Sequence, residues 1–471
     1  MNRAEIVLRN CLVYTPGGFF DGGVAISGGK ITAMGGCAFL PPGEQEIDLH
    51  GTALLPGGVD THVHVRDPGR RERGDFATES AAAAAGGITT ILEMPISSPP
   101  QYTVDILENR SRCASERSSV DFGFYGAAGN RPEHIAELAE RGVAAFKTYL
   151  FRPHAGREGE FEGTCAEGDG NLFEIFEAVA KTGKLCAVHA ENDDLIRSFT
   201  RDVRAGGGRD LAAHGRARPP LAEVSAVAKV LAFARATGVR LGICHVSTPE
   251  AMELIGKEKA EGRAVYAETC PQYLFCDEES AAPLGPFAKF NPPIRKQADA
   301  EALWNYVRNG TVDYVGSDHG PFLLSEKEPG TEDIFAAPAG STGFEERLPL
   351  FVTAVRERKL SLRRMVDLLS ANAAMIFGLY PQKGTISVGS DADLAAVNLH
   401  EPFFVRASRM KTAGKGIARL YEGRRLFGVV TMTMVRGGIV FSRDGTLPQA
   451  SGRGRDLFYR SSSDEGSFQG R

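Results

Sequence analysis

The segment Pro56-Gly57-Gly58-Val59-Asp60-Thr61-His62-Val63-His64-Val65-Arg66-Asp67-Pro68-Gly69 sets two imidazoles two residues apart. Side chains alternate along a strand, so His62 and His64 leave the same face together. The apolar run Thr52 to Leu55 leads in, and Asp67-Pro68-Gly69 reads as the turn that ends the strand. Two imidazoles at a strand's carboxyl end are half of a metal site. On its own the pattern fits equally well a strand with two solvated or core-satisfied histidines. Further ligands at matching places would decide between the two.

Four candidates stand at such places. Lys147 lies in Ala144-Ala145-Phe146-Lys147-Thr148-Tyr149-Leu150, His189 in Ala187-Val188-His189-Ala190-Glu191, and His245 in Gly242-Ile243-Cys244-His245-Val246-Ser247. Asp318 lies in Gly316-Ser317-Asp318-His319-Gly320-Pro321. Each follows or closes an apolar run. Lys147 is the unusual member, because a lysine between Phe146 and Leu150 is costly to bury unless it is paired or modified. It could snorkel out of the fold. It could also form a carbamate with CO₂, which turns the amine into a carboxylate able to bridge two metals.

The elements that must position these residues alternate between strand and helix. Strand candidates are Leu54–Val65, Thr89–Met94, Phe122–Ala127, Ala144–Leu150, Leu185–His189, Leu241–Val246, Val265–Thr269 and Val312–Asp318. Helices are expected at 76–85, 104–116, 132–140, 172–181, 221–236, 249–260 and 298–309, several followed by glycine. The pattern predicts an α/β fold, a (β/α)8 TIM-type barrel whose site gathers at the strands' carboxyl ends. An open doubly wound sheet is the alternative, but no glycine-rich dinucleotide turn follows the first strand. Short strands punctuated by glycine pairs occupy 5–50 and return after Gly378, at Gly384–Ile386, Leu394–Val397, 428–435 and 438–441. Neither group can bury a core alone. Residues 1–52 and 381–444 are therefore expected to form one small β-sandwich-like domain beside a barrel of 53–380. The Ser-, Gly- and Arg-rich tail 445–471 is expected to be mostly disordered.

The 471 residues can bury a large core. A net charge of −5 argues against a nucleic-acid partner. No apolar run approaches the roughly 18 residues that span a bilayer, and the amino terminus carries no apolar signal core. The eight cysteines include no Cys-x-x-Cys pair, which fits reduced, packed thiols in a cytoplasmic protein.

Taken together the motifs resemble the cyclic-amide branch of the amidohydrolase superfamily: dihydroorotases, allantoinases, dihydropyrimidinases and hydantoinases. The resemblance covers nearly the whole chain. It implies that His62, His64, Lys147 and Asp318 hold one divalent metal, and that Lys147, carboxylated, bridges to a second held by His189 and His245. Zinc suits these ligands. Two metals about 3.5–4 Å apart can hold a bridging hydroxide and polarise a ring carbonyl. Asp318 would take the proton of the water as general base and deliver it to the leaving nitrogen. No serine or cysteine stands beside a base as a nucleophile.

The substrate implied is a small cyclic ureide, with dihydroorotate and allantoin foremost and a hydantoin or dihydropyrimidine as the alternative. In dihydroorotases the arginine at the place of Arg66 binds the substrate carboxylate, and Asn291-Pro292-Pro293-Ile294-Arg295 matches a motif whose asparagine touches substrate. The segment Glu93-Met94-Pro95-Ile96-Ser97-Ser98-Pro99-Pro100 instead resembles the allantoinase form, with Ile96 where dihydroorotases place asparagine. Phe322 stands where they usually place histidine. Arg66, Ser97, Asn291 and Arg152 are the candidate substrate contacts. Arg152 would be a second cation at the mouth, in the polar loop 152–162. Relatives are usually dimers or tetramers, so a homo-oligomer is expected. A non-catalytic dihydropyrimidinase-like scaffold is disfavoured, because such proteins lose metal ligands and here all six positions are filled.

Overall fold

A computed structural model describes residues 3–153, 156–447 and 453–460. Eight strands form one parallel sheet in chain order: Gly58–Val63, Ile88–Glu93, Asp121–Ala127, Ala145–Tyr149, Leu185–His189, Arg240–Ile243, Val265–Thr269 and Val312–Val315. The sheet is nearly closed into a barrel. At the carboxyl end, Val63 bridges His319 in parallel and the His64 N–H donates to the His319 carbonyl at 2.7 Å. Lower in the same seam the buried Arg347 guanidinium donates to the carbonyls of Val59 and Val315, at 3.1 and 2.6 Å. One side chain thus satisfies backbone acceptors of the first and last strands, which closing the sheet would otherwise leave unpaired.

The strands are continuous apolar runs because a barrel buries both of their faces. Val59, Leu92, Tyr125, Ala145, Ala187, Cys244 and Tyr314 pack inside, capped by Phe377. The outward faces meet the helices in the largest apolar cluster. Helix Pro249–Ala260 lies where the sequence predicts it, Gln297–Asn309 begins one residue earlier than predicted, and Pro220–Thr237 extends the predicted helix by a residue at each end. Helices Asp193–Ala205 and Leu211–Ala217 are additional, inserted between the fifth and sixth strands.

Strands from both ends of the chain form a second, mixed sheet: Ala4–Thr15, Gly18–Ser27, Lys30–Gly35, Gly43–Asp48, Ala53–Pro56, Leu394–Phe404, Arg425–Val435 and Gly438–Ser442. Ala53–Pro56 joins the two termini, pairing in parallel with Ala4–Thr15 and antiparallel with Leu394–Phe404. The expected single strand 54–65 is therefore two strands in two sheets. The break falls at Pro56-Gly57, where Pro56 has no N–H to donate. A Cβ on Gly57 would lie 2.2 Å from Thr89, so the chain passes too close to the second strand for any side chain.

One of these expectations fails: Gly384–Ile386 is not a strand but part of a turn-rich connection. Within the tail expected to be mostly disordered, one segment is ordered. The Phe122 N–H donates to the Arg455 carbonyl and the Leu457 N–H returns to Phe122, both at 2.9 Å, so 453–460 docks on the amino-terminal end of the third strand. Composition alone could not show this, because the docking site is a backbone edge and two glycines, Gly123 and Gly142, against which Phe458 lies. The rest of the expected disordered tail, 448–452 and 461–471, is outside the described residues. Among the described residues no helix is long and apolar enough to cross a membrane.

Candidate active site

The six predicted ligands come from five strand ends. His62 is in the first strand and His64 one residue beyond it, Lys147 is within the fourth, and His189 ends the fifth. His245 and Asp318 follow the sixth and eighth strands by two and three residues. The structure brings five of them into one cluster. Asp318 Oδ1 lies 3.4 Å from His62 Nε2 and 3.5 Å from His64 Nε2. His189 Nδ1 lies 3.0 Å from His245 Nε2, and the His62 and His245 rings are 5.2 Å apart. Lys147 is fully buried, with Nζ 2.8 Å from Cys244 Sγ and 5.0 Å from the centre of the Tyr149 ring.

His245 and Asp318 both have left-handed backbone, at φ 38° and 53°. Asp and His enter this region more often than other side chains do, but it still carries a cost that persists only where the surroundings impose it. Glu268 Oε1 accepts the His245 N–H at 3.0 Å. Around Asp318, the Ser317 N–H donates to Asp60 Oδ1 at 3.1 Å, while His319 pairs with Glu79 at 2.8 Å and stacks on Phe344. Both turns are held from outside themselves, which aims the two side chains at the barrel axis.

The donor set fits divalent metal. Burial, aided by neighbouring cations, holds His64 and His245 well below the usual imidazole range and lowers His189. Three imidazoles are therefore neutral and keep a lone pair for a cation. Burial opposes protonation of His62, but Glu268 and Asp318 outweigh it and raise His62 to about 10. That corner carries enough negative charge to hold a proton, or a cation in its place. His62, His64 and Asp318 present ligand atoms all within 4.8 Å of one another. Lys147 has no carboxylate within ion-pair distance among the described residues, which suits a lysine converted to a carboxylate of its own.

Three residues that the sequence did not single out support this cluster. Glu268, at the carboxyl end of the seventh strand, lies 2.6 Å from His62 Nδ1. Glu191 lies 2.8 Å from His189 Nε2 and pairs with Arg218. Such carboxylates fix the orientation of an imidazole ligand and strengthen its basicity. Cys244, next to His245, faces Lys147. The strand-end rule that selected the histidines would have selected Glu268 as well.

A narrow cavity of about 80 Å³ adjoins the cluster, walled by Ile96, Tyr149, Phe151, Phe161 and Phe322, with Arg66, Arg157 and Asn291 as its polar members. Arg66 is 3% exposed, donates to the Ile96 carbonyl at 2.8 Å and has no carboxylate partner among the described residues. Burial, then Arg157, depress it to about 9. Asn291 Oδ1 is buried and unpartnered.

The other two predicted contacts do not reach this cavity. Ser97 is turned inward, where its hydroxyl accepts from Arg110, a guanidinium also paired with Glu93. Its neighbour Ile96 takes the place at the wall. Arg152 has a 66% exposed side chain near Asp194 and lines a separate outer depression. Arg157, five residues later in the same loop, is the cation that reaches the site.

Residues 53–440 match the amidohydrolase family. An L-hydantoinase of Paenarthrobacter aurescens is 37% identical over 447 residues, 94% of this chain and 96% of its own length. An allantoinase of Enterococcus faecalis is 36% identical over 457 residues, covering 95% and 98% of the two chains. The solved L-hydantoinase (dihydropyrimidinase) of Arthrobacter aurescens superposes with a TM-score of 0.91 at 35% identity, covering 97% of this chain and 100% of that one.

Proposed function

As this chain belongs to the amidohydrolase family, we propose that it hydrolytically opens the ring amide of a small cyclic ureide. The observation that carries the proposal is the convergence of His62, His64 and Asp318 within ligating distance, beside the His189–His245 pair and the buried Lys147. His62, His64, Asp318 and carboxylated Lys147 would hold one divalent metal, zinc for preference, and Lys147, His189 and His245 the second. When bound, the metals supply Lewis acidity that polarises a carbonyl and acidifies water.

The remaining work falls to the chain. Burial raises the Asp318 carboxyl to about 6, against the pull of His62. Asp318 Oδ1, 3.4 and 3.5 Å from the Nε2 atoms of His62 and His64, would accept a proton from water and return it to the departing ring nitrogen. Ile96, Phe151, Phe161 and Phe322 exclude bulk water and take the flat faces of a ring. Asn291 Oδ1 accepts a ring N–H, and Arg66 faces the ring's substituent. An arginine without a counter-charge favours an acidic ring of the dihydroorotate type. The apolar places of Ile96 and Phe322 favour a hydantoin or allantoin ring as the second reading. All eight cysteines are free thiols, which supports a reducing compartment such as the cytoplasm.

Ring opening of dihydroorotate, allantoin, hydantoin and dihydrouracil, each with zinc, manganese or cobalt, tests the proposal. Turnover of at least one ring, abolished by a chelator and restored by metal, is the expected result. A metal-loaded protein that opens none of the four would overturn it.

A further inference from the structure

Four cations surround the Phe322 ring on the cavity wall. The guanidinium carbons of Arg66, Arg73 and Arg157 lie 5.3, 5.0 and 5.3 Å from its centre, and Lys327 Nζ lies 5.7 Å away. Two carboxylates answer them. Glu160 pairs with Arg73 at 3.0 Å and Arg157 at 2.6 Å, and Glu326 pairs with Arg73 at 2.5 Å and Arg70 at 3.4 Å. Lys327 is fully buried and donates to the Pro286 and Pro338 carbonyls instead, at 3.0 and 2.9 Å. Arg66 likewise meets a carbonyl. Arg157 and Asn291 also line a neighbouring basin of about 600 Å³. Lys289, in the wall of that basin, donates among the described residues to the carbonyls of Ile334 and Ala337.

Buried cations in excess of their carboxylates are costly to keep. Arginine in such surroundings is suited to a planar carboxylate. The Nε atoms of both Arg66 and Arg157 are buried without partners. Ile96, Phe151 and Phe161 are apolar members of the same lining, and Arg157 lies 5.5 Å from the centre of the Phe161 ring, so the two guanidiniums are the cations that line the cavity.

We propose that Arg157, from the loop after the fourth strand, joins Arg66 as a two-cation seat for a carboxylate on the ring's substituent, making anionic cyclic ureides the substrate class. Arg157 is then a specificity-determining residue, and the basin behind it is the approach for acidic rings. The identity of the ring rests on the cyclic-amidase reading. The seat itself rests on the two guanidiniums.

Dihydroorotate and dihydrouracil differ only by the ring carboxylate, and both are turned over by the wild-type protein in the expected result, with higher kcat/KM for dihydroorotate. Arg157→Gln should lower kcat/KM for dihydroorotate by roughly 10- to 100-fold and for dihydrouracil by less than about 3-fold. Arg157→Lys should retain part of the preference. Calorimetric binding of orotate and uracil to the metal-loaded protein reads the seat without turnover, and Arg157→Gln should weaken orotate alone. Equal losses on both rings, or orotate binding indifferent to Arg157, would overturn the seat while leaving ring opening intact. Absence of ring opening with orotate binding still dependent on Arg157 would support the seat and overturn the cyclic-amidase reading.

Discussion

His62 Nδ1 and Glu268 Oε1 lie 2.6 Å apart, both side chains almost wholly buried, and the same carboxylate oxygen accepts the His245 N–H at 3.0 Å. One carboxylate thus orients a ligand on the first strand and fixes the strained turn that presents another after the sixth. Glu268→Gln keeps the shape but removes the charge. We expect metal affinity to fall about 10- to 100-fold, with the thermal unfolding profile still cooperative. Competition with a coloured chelator measures it, and unchanged affinity would remove Glu268 from the metal centre.

Lys147→Ala should lose activity together with a share of the bound metal, because both proposed metals use this side chain. Carbon-13-labelled bicarbonate offers a readout apart from turnover: the wild type should show a carbamate resonance that the variant lacks. Full activity in the variant would sink the bridged two-metal reading.

Glu346 is buried with one carboxylate oxygen unpartnered, and burial, reinforced by Glu345, raises it to about 8. Unfolded, it ionises near about 4.3. Between these values the native state binds more protons, so stability falls as pH rises. Glu346→Gln should therefore change little near pH 4 and raise the melting temperature progressively toward pH 8. A melting difference that does not grow with pH contradicts this.

Phe458 holds the docked tail segment against Gly123 and Gly142, where a Cβ on Gly142 would lie 1.8 Å from the Phe458 carbonyl. Phe458→Ala should cost about 1–3 kcal/mol, as burial of a partly exposed aromatic implies. Metal content should be unaffected, because the segment docks at the end of the barrel away from the site. Urea unfolding at constant m-value checks this.

The order of the barrel strands and the positions of His62, His64, His189, His245 and Asp318 were legible in the sequence. Apolar runs, their flanking turns and the period-two alternation of a strand are local properties, and the (β/α)8 arrangement turns every strand end toward one mouth. Which loop side chains reach that mouth was not legible. Ser97 turns away because Arg110 donates to its hydroxyl inside the fold, and Arg157 rather than Arg152 faces the cavity because Glu160 holds it there. Arg73 completes that pairing from 87 residues away in the chain. The docked tail depends likewise on a backbone edge more than 300 residues earlier, at Phe122. Such choices are made by partners that only the closed barrel brings together. The sequence by itself therefore determined the fold and the strand-end positions of the proposed metal ligands, while the tertiary structure decided the carboxylates behind them and the cations that line the cavity.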